Sequence, residues 1–306
     1  MGRPVIASAC PRAGYGMKKL LPNLMLVLVF LAGLTLLLYP TVSNYINTIH
    51  QSHVVSSYEA EAAKLSAEDY TPIRKAAQEY NAALAANPDR FLQTDEDLAA
   101  YLAQMDPFKN GIMGYVEIDK IDVKLPIYHG TDDSVLQVGA GHVEGTSLPV
   151  GGAGTHCAIS GHSGLPSAML FTNLEKLKVG DEFSLHVLNE TLNYRVDQIQ
   201  VVEPYDLSVL DIDPNQDYCT LVTCTPYGIN SHRLMVRGVR TQDTAPATVA
   251  VSANTTPAQT GTYQFAPALL TIFFLVILLL VLAGLEKRTR RGKYVQRGRQ
   301  SRLNAR

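Results

Sequence analysis

Two long uncharged apolar runs stand out in the pattern of hydrophobic and polar positions, one near each end of the chain. They cover Leu24–Leu38 ("LMLVLVFLAGLTLLL") and Ala266–Leu285 ("APALLTIFFLVILLLVLAGL"). A helix needs about 20 apolar residues to cross a hydrocarbon layer of about 30 Å, so we predict transmembrane helices over residues 20–39 and 266–285. For the first run a cleaved signal peptide stays open as the alternative, although no small-residue cleavage site follows it.

The first part of the region between these runs has a helical pattern. From Val54 to Met105 the chain is rich in Ala, Glu, Leu and Lys, and its apolar residues recur at helical spacing. We predict two or three helices, interrupted at Pro72 and Pro88, within an extension that covers residues 40–105 and packs on another part of the protein.

The pattern then changes to short β-branched and aromatic runs separated by Gly, Pro, Asn and Asp. These runs are "GYVEID", "KLPIYH", "HCAIS", "EFSLHVL", "LNYRVDQIQVV", "TLVTC" and "LMVRGVR". Such a density of short strands is typical of a mainly β domain, either a barrel or a sandwich. Residues 241–265 are rich in Thr, Ala and Pro, which predicts a flexible linker to the second apolar run.

Basic residues concentrate at the two chain ends. Lys and Arg are retained on the cytoplasmic side of a membrane, so residues 1–19 and the basic tail 286–306 are expected in the cytoplasm. The protein would then cross the cell membrane twice, with residues 40–265 outside the cell. That outer region holds 13 Lys and Arg against 27 Asp and Glu. Its negative charge argues against a nucleic-acid partner, and the basic tail is interpreted as an anchor to lipid headgroups.

Three of the four cysteines, Cys157, Cys219 and Cys224, fall in the outer region, and Cys10 falls in the cytoplasmic end. Three thiols cannot all pair within one chain, so at least one stays unpaired unless it bridges to another molecule. No C-x-x-C, H-x-x-x-H or H-E-x-x-H spacing occurs, so no metal site is expected.

Cys224 has the sequence context of a nucleophile, because it ends the strand-like run "TLVTC". A thiolate needs a base or cation beside it, and attack on a carbonyl needs a donor for the oxyanion. His162 lies in a small-residue turn after another strand-like run, and Arg233 lies at the start of the next strand. From the residues alone, a surface histidine and a surface ion pair remain the alternatives for these two positions.

Three blocks in order resemble the sortases, the cysteine transpeptidases of Gram-positive cell surfaces. They are "GHVEGTSLP", "AISGHSGLPSAMLFTNLEKLKVGDEF" and "TLVTCTPYGINSHRLMVRG", and the last contains the Thr-Leu-x-Thr-Cys signature. The resemblance covers about residues 106–240. The block after the histidine, the helical extension and the two apolar runs are most similar to class C, the pilus-assembling branch.

This resemblance implies a fold and a reaction. The fold is the eight-stranded sortase β-barrel, here over residues 113–240. Cys224 is the implied nucleophile, His162 the general acid or base, and Arg233 the group that stabilises substrate and oxyanion, with no cofactor. The implied reaction cleaves a Leu-Pro-x-Thr-Gly-like sorting signal of a pilin or surface protein between Thr and Gly. An amine then resolves the thioacyl enzyme, either a pilin lysine or an amine of a peptidoglycan precursor.

The stretch "QMDPFKNG" resembles the Asp-Pro-aromatic lid of class C enzymes. In that lid the aromatic ring covers the catalytic cysteine and the aspartate pairs with the active-site arginine, so the resemblance assigns residues 106–112, with Asp106 and Phe108, to a lid. An ordinary helix-ending turn is the alternative, because Asp-Pro is common where helices stop.

Several other residues keep two interpretations. Cys157 lies five residues before His162, and Cys219 lies five residues before Cys224. If their strands are neighbours in matching register, the two thiols are close together. They are then either small buried residues or the two halves of a disulfide. His142 ranks below His162 as a base, and His156 and His232 are interpreted as structural.

Three other functions remain open at this stage. They are a housekeeping sortase that anchors proteins to peptidoglycan, a hydrolytic cysteine peptidase, and a non-catalytic membrane-tethered scaffold.

Overall fold

The computed structural model describes residues 17–241, which form four helices and eight strands. The helices are α1 (Met17–Ala62), α2 (Ala67–Ala85), α3 (Asp95–Leu102) and α4 (Asp133–Leu136). The strands are β1 (Ile112–Ile118), β2 (Val123–His129), β3 (Ala140–His142), β4 (Thr155–Ser160), β5 (Glu182–Val187), β6 (Glu190–Val202), β7 (Asp217–Thr225) and β8 (His232–Arg240).

The strands close into a barrel in the order β1-β2-β3-β4-β7-β8-β6-β5. Two neighbouring pairs, β2/β3 and β4/β7, are parallel, and the other pairs are antiparallel. Closure leaves no strand edge unpaired, and the prediction of a mainly β, eight-stranded barrel with an N-terminal helical part is confirmed. The predicted runs match seven strands. The eighth, β3, has three residues, too few to show an alternating pattern.

Helix α1 is continuous across the boundary that the sequence placed at residue 39. It runs for 46 residues through Pro40, so the apolar run and the start of the extension form one helix. Its apolar part has no buried residues and is long enough to cross a membrane by length and composition. The second apolar run, residues 266–285, lies outside the described residues, as do the predicted linker and basic tail.

The second half of α1 packs on the barrel. Tyr58 is buried, and its hydroxyl donates to the carbonyl of Met113 (3.0 Å) and accepts from the amide of Leu188 (2.7 Å). Met113 lies in β1 and Leu188 directly follows β5, and these two strands are neighbours in the barrel. One side chain therefore ties α1 to two strands by satisfying backbone groups.

Helices α2 and α3 also pack on the barrel, as the sequence predicted. Pro72, expected to interrupt a helix, instead lies inside α2, whereas Pro88 falls in the connection between α2 and α3, as expected. The buried amide of Asn81 on α2 donates to the carbonyl of Leu148 (3.1 Å) and accepts from its amide (2.7 Å). This side chain pairs with the backbone as a neighbouring strand does, and it holds α2 on the loop between β3 and β4.

A closed polar network fixes α3 to β3. Tyr101 and His142 are both 0% exposed, and the Tyr101 hydroxyl lies 3.0 Å from His142 Nδ1. His142 Nε2 faces the carbonyl of Ser147 at 2.9 Å. A carbonyl only accepts, so Nε2 carries the hydrogen and Nδ1 accepts from Tyr101. The Tyr101 oxygen in turn accepts from the amide of Gly130 (2.9 Å).

The connection between β6 and β7, residues 203–216, crosses the outer face of the barrel and is anchored by His156. His156 Nδ1 donates to the carbonyl of Asp211 (2.8 Å), and Nε2 accepts from the hydroxyl of Thr220 (2.8 Å). The interpretation of His156 as structural is confirmed. Burial lowers its pKa, because the charged imidazolium would lose its hydration.

Arg90, from the connection between α2 and α3, holds the same segment. Its Nη2 donates to the carbonyl of Leu210 (3.1 Å), and the neighbouring Phe91 packs against the apolar cluster that contains Leu210. The sequence did not indicate Arg90 and Phe91, because they lie in a turn that has no periodic pattern to show which residues are buried.

We expect Tyr101→Phe to lower the free energy of unfolding by about 1–3 kcal/mol, because His142 Nδ1 and the Gly130 amide would remain buried without a partner. Urea unfolding followed by far-UV circular dichroism in detergent measures the change. The matched control is Tyr80→Phe, a half-buried tyrosine on α2 that is outside this network. Equal losses in the two variants would contradict the role of the network.

We expect the fold to lose stability in acid partly through His156. Its pKa is lower in the folded state than in the unfolded chain, where it is about 6.5. The unfolded state therefore binds more protons below that pH, and the free energy of unfolding falls as pH drops, by up to about 1.4 kcal/mol per pH unit. Urea titrations between pH 7 and 5.5 measure the slope. His156→Gln should flatten it, whereas the exposed His50→Gln should not, and an unchanged slope in His156→Gln would refute the assignment.

Candidate active site

The site is built on the pairing of β4 with β7. These parallel neighbours are in register from Thr155 opposite Asp217 to Ser160 opposite Val222. The contact continues past the last pair, because the Gly161 amide donates to the carbonyl of Val222 (3.0 Å). The hydroxyl of Thr223 donates to the carbonyl of Gly161 (2.7 Å).

β4 ends at Ser160, so His162 follows it by two residues, just as Cys224 follows Val222, the last residue of β7 that pairs with β4, by two residues. On the other side of β7, the antiparallel strand β8 places Arg233 directly opposite Cys224. Side chains at directly opposed positions have Cβ atoms about 5 Å apart. The three residues that the sequence singled out therefore lie at the same end of β4, β7 and β8, where we call them the row, and all three are partly exposed.

This row lies on the outer face of the barrel, where the buried part of that face meets the exposed part. Side chains alternate between the two faces of a strand, so the next row on the same face is Ser160, Val222 and Met235. Val222 and Met235 are buried in one cluster with Leu210, against which Phe91 packs. Cys224, one row further along the strand, is partly exposed and within reach of a ligand.

Arg233 is held by its own turn. Its Nη1 donates to the carbonyls of Asn230 (3.3 Å) and His232 (3.2 Å). A guanidinium has five N–H donors in a planar fork, and these two bonds use only one of its nitrogens. The remaining donors suit an anionic oxygen developing near Cys224.

The loop that follows His162 is fixed at both its base and its tip. At the base, the Phe171 amide donates to the carbonyl of His162 (3.0 Å). At the tip, two residues of α1 one turn apart bind the backbone: Asn47 Nδ2 donates to the carbonyl of Ser167 (2.8 Å), and Asn44 Oδ1 accepts from the amide of Met169 (2.8 Å). Helix α1 thus supports the segment that carries the histidine.

The loops after His162 and Cys224 lie side by side. A Cβ added to Gly164 would meet the ring of Tyr227 at 3.1 Å, and Gly164 has a φ of +76°. Both the positive φ and the close ring favour glycine at this position. Tyr227 is largely exposed, so it borders the open end of the row.

Asp106 and Phe108 lie on the side of the barrel that faces α1. Asp106 Oδ1 accepts from the amides of Asn110 (2.9 Å) and Gly111 (3.1 Å), and the Phe108 ring packs edge-on against Tyr58 with centroids 5.6 Å apart. Within residues 17–241 the aspartate therefore bonds to its own turn and does not pair with Arg233. The lid assignment stays a prediction.

The two other cysteines are neighbours, as the sequence suggested they could be. Cys157 lies directly opposite Cys219 in the β4/β7 register, and both are buried free thiols. They lie on the core face, five residues before His162 and Cys224.

The geometry agrees with comparisons to known proteins. Residues 116–241 match the sortase domain model. The structure resembles the crystal structure of sortase C1 from Streptococcus agalactiae, with 47% identity, a TM-score of 0.60 and coverage of 62% of this chain and 99% of that chain. It also resembles a Streptococcus pneumoniae sortase C studied for catalysis and pilin substrate specificity, with 44% identity, a TM-score of 0.56 and coverage of 63% and 99%.

Among curated proteins, the sequence is 32% identical over 117 residues to sortase A of Streptococcus agalactiae, which is 37% of this chain and 47% of that protein. The chain thus spans about half the length of this relative. The similarity to the sortase C1 structure, by contrast, covers 99% of that chain. The chain belongs to the sortase family of cysteine transpeptidases, and its similarity is to the class C enzymes.

Proposed function

We propose that this protein cleaves a Leu-Pro-x-Thr-Gly-like sorting signal between Thr and Gly and joins the new carboxyl end to a lysine of a pilin. The observation that carries the proposal is the position of His162, Cys224 and Arg233 at the same end of β4, β7 and β8. It puts a thiol, an imidazole and a guanidinium at one open end of the barrel, which is the minimum set for transfer of an acyl group.

In the first step, the Cys224 thiolate attacks the carbonyl carbon of the Thr-Gly bond. The carbonyl oxygen becomes negatively charged, and the guanidinium of Arg233 on the same face stabilises it. His162, as the imidazolium, gives a proton to the nitrogen of glycine as the carbon–nitrogen bond breaks. The glycine segment leaves, and the threonine remains on Cys224 as a thioester.

In the second step an amine replaces the thiol. His162 is now neutral and accepts a proton from the incoming amine, which attacks the thioester carbonyl. The tetrahedral oxyanion forms again beside Arg233, and Cys224 leaves as the thiolate. Water in place of the amine would give hydrolysis, so the outcome depends on which nucleophile reaches the row.

We assign the amine to a pilin lysine because the similarity is to class C sortases, one of which was studied for pilin substrate specificity. An amine of a peptidoglycan precursor is the competing acceptor, and it would indicate the housekeeping role. The two acceptors can be offered to the same thioacyl enzyme, and the product of the reaction identifies the preferred one.

We further propose that the protein crosses the cell membrane twice, with the barrel outside the cell. The apolar part of α1 supports the first crossing by its length and exposure. The charge-free run of residues 266–285 and the basic residues after it support the second. This topology places the site on the side of the membrane where surface proteins are assembled.

We expect a Leu-Pro-x-Thr-Gly peptide to form a thioacyl adduct on the full chain in detergent, visible as a gain in intact mass equal to the acyl fragment. Cys224→Ala should abolish the adduct, because it removes the nucleophile. The matched control is Cys10→Ala, which leaves the outer thiols unchanged and should keep the adduct. A lysine peptide added afterwards should yield the joined peptide.

Two results would contradict this function. A folded protein that forms no adduct with several signal variants would favour a non-catalytic scaffold. An adduct that is released only by water, with every amine tested, would indicate a peptidase.

We also propose that residues 106–112 exchange between the position on α1 described above and a closed position over Cys224. In the closed position Asp106 would pair with Arg233, and Phe108 would cover the thiol. The support is the class C resemblance of the segment "DPF" and the bonding of the Asp106 side chain, which accepts from amides of its own turn.

Alkylation of Cys224 by iodoacetamide should be several-fold faster in Asp106→Ala/Phe108→Ala than in the wild type, because both closing contacts are removed. Peptide mapping after timed alkylation measures the rate at Cys224 alone. Lys109→Ala, an exposed change in the same segment, is the control and should keep the wild-type rate. An unchanged rate in the double variant would rule out a lid made by these two residues.

A further inference from the structure

Beneath the site, β4 and β7 carry a second pair of matched reactive residues, Cys157 and Cys219. They are 3% and 0% exposed, and they lie directly opposite each other in the parallel register, with both side chains in the inner core. The proposed reaction uses neither of them. Two adjacent thiols, unlike a single buried cysteine, can form a covalent bond with each other.

The strand geometry suits a covalent bond between them. Neighbouring strands lie about 4.8 Å apart, and the Cα atoms of a disulfide are usually about 4.4–6.8 Å apart. Residues directly opposite in register have side chains on the same face, and both cysteines belong to the inner core. Closure of the bond therefore needs only a rotation of the side chains and a small change in strand spacing.

The surroundings make the two thiols unequal. Burial alone would raise the pKa of Cys157, but the neighbouring side chains of Cys219 and His142 outweigh it and lower that pKa. Burial raises the pKa of Cys219, and the neighbouring Cys157 raises it further. One thiol of the pair is thus poised as the nucleophile while the other keeps its proton, which is the arrangement that oxidation to a disulfide requires.

We propose that Cys157 and Cys219 are a site of reversible oxidation, at which a small peroxide converts the dithiol into a disulfide that joins β4 to β7. The Cys157 thiolate attacks one oxygen of hydrogen peroxide, the O–O bond breaks, and a sulfenic acid and hydroxide form. The hydroxide takes the proton that Cys157 gave up. Cys219 then attacks the sulfenic sulfur, the S–S bond forms, and water leaves. The two sulfurs lose two electrons, and one peroxide becomes two waters.

Because the pair is buried, only a small oxidant can react with it. A molecule the size of peroxide needs only a small local opening of the barrel to reach the pair, whereas a bulky disulfide cannot approach a thiol that is almost fully covered. Cys224, by contrast, is partly exposed. Oxidation of the pair can therefore be distinguished from reaction at Cys224, although both sites involve the same two strands.

The test uses the full chain with Cys10→Ser and Cys224→Ala in detergent, so that only the pair remains. After peroxide, denaturation and iodoacetamide, we expect no alkylation and an intact mass lower by two hydrogen atoms. A dithiol reductant should restore two alkylation sites. Proteolysis should give one cross-linked peptide that contains segments of β4 and β7. Because Cys224 is absent, these results do not depend on the proposed transpeptidase activity.

The control adds Cys219→Ser, which should leave Cys157 without a partner and give no cross-link. If that variant does not fold, its far-UV circular dichroism shows it, and Cys157→Ser serves in its place. The proposal is overturned if both thiols remain fully alkylatable at a peroxide dose that completely oxidises Cys224 in the Cys10→Ser protein. A cross-link that forms only in urea overturns it equally, because it would belong to the unfolded chain.

Discussion

Hydrogen bonding between the parallel strands β4 and β7 determines which side chains meet in this barrel. The two strands come from segments separated by about sixty residues, and their register pairs Cys157 with Cys219 and ends at Ser160 opposite Val222, two residues before His162 and Cys224. A slip of one residue would turn every side chain of one strand to the opposite face. The core and the open row therefore depend on the same pairing, and the buried residues on the inner face, such as Ile159 and Leu221, stabilise the arrangement on the outer face.

The helical extension contributes to the site without supplying any of the three reacting groups. Asn44 and Asn47 of α1 bind the loop after His162. Arg90 and Phe91 bind the segment that covers the strands next to the row. A barrel alone would leave both connections exposed, with polar backbone groups and apolar side chains in water. The extension binds these backbone groups and covers these apolar side chains. Its edge therefore determines which part of the outer face is exposed next to the row.

The sequence predicted the parts of the structure that have a local signal. Seven of the eight strands have alternating or β-branched runs, and Cys224, His162 and Arg233 each stand at the end or start of such a run. The predicted interruption at Pro72 was wrong, because Pro72 lies inside α2. Packing of α2 on the barrel offsets the intrahelical hydrogen bond that a proline removes.

Contacts between distant segments had no such signal. The register of β4 on β7, the network of Tyr101 with His142, and the position of Arg90 on the segment 203–216 all depend on tertiary packing. The neighbouring placement of Cys157 and Cys219 was foreseen only on the condition that the two strands pair, because equal spacing from two motif residues does not fix which strands are adjacent. Asp106 shows the opposite case. The motif suggested Arg233 as its partner, but in this structure its carboxylate accepts from amides of its own turn.

The unbroken course of α1 has a mechanical consequence. A helix rises about 1.5 Å per residue, so Asn44 and Asn47 lie only about 10–15 Å along the axis from the end of the apolar run at Leu38. Where that run spans a bilayer, the loop after His162 stands at a set height above the lipid, because a rigid rod and not a flexible tether carries it. The distance from the membrane surface to the site is then fixed. A peptide that is still embedded in the same bilayer needs only a short extended stretch to reach the site.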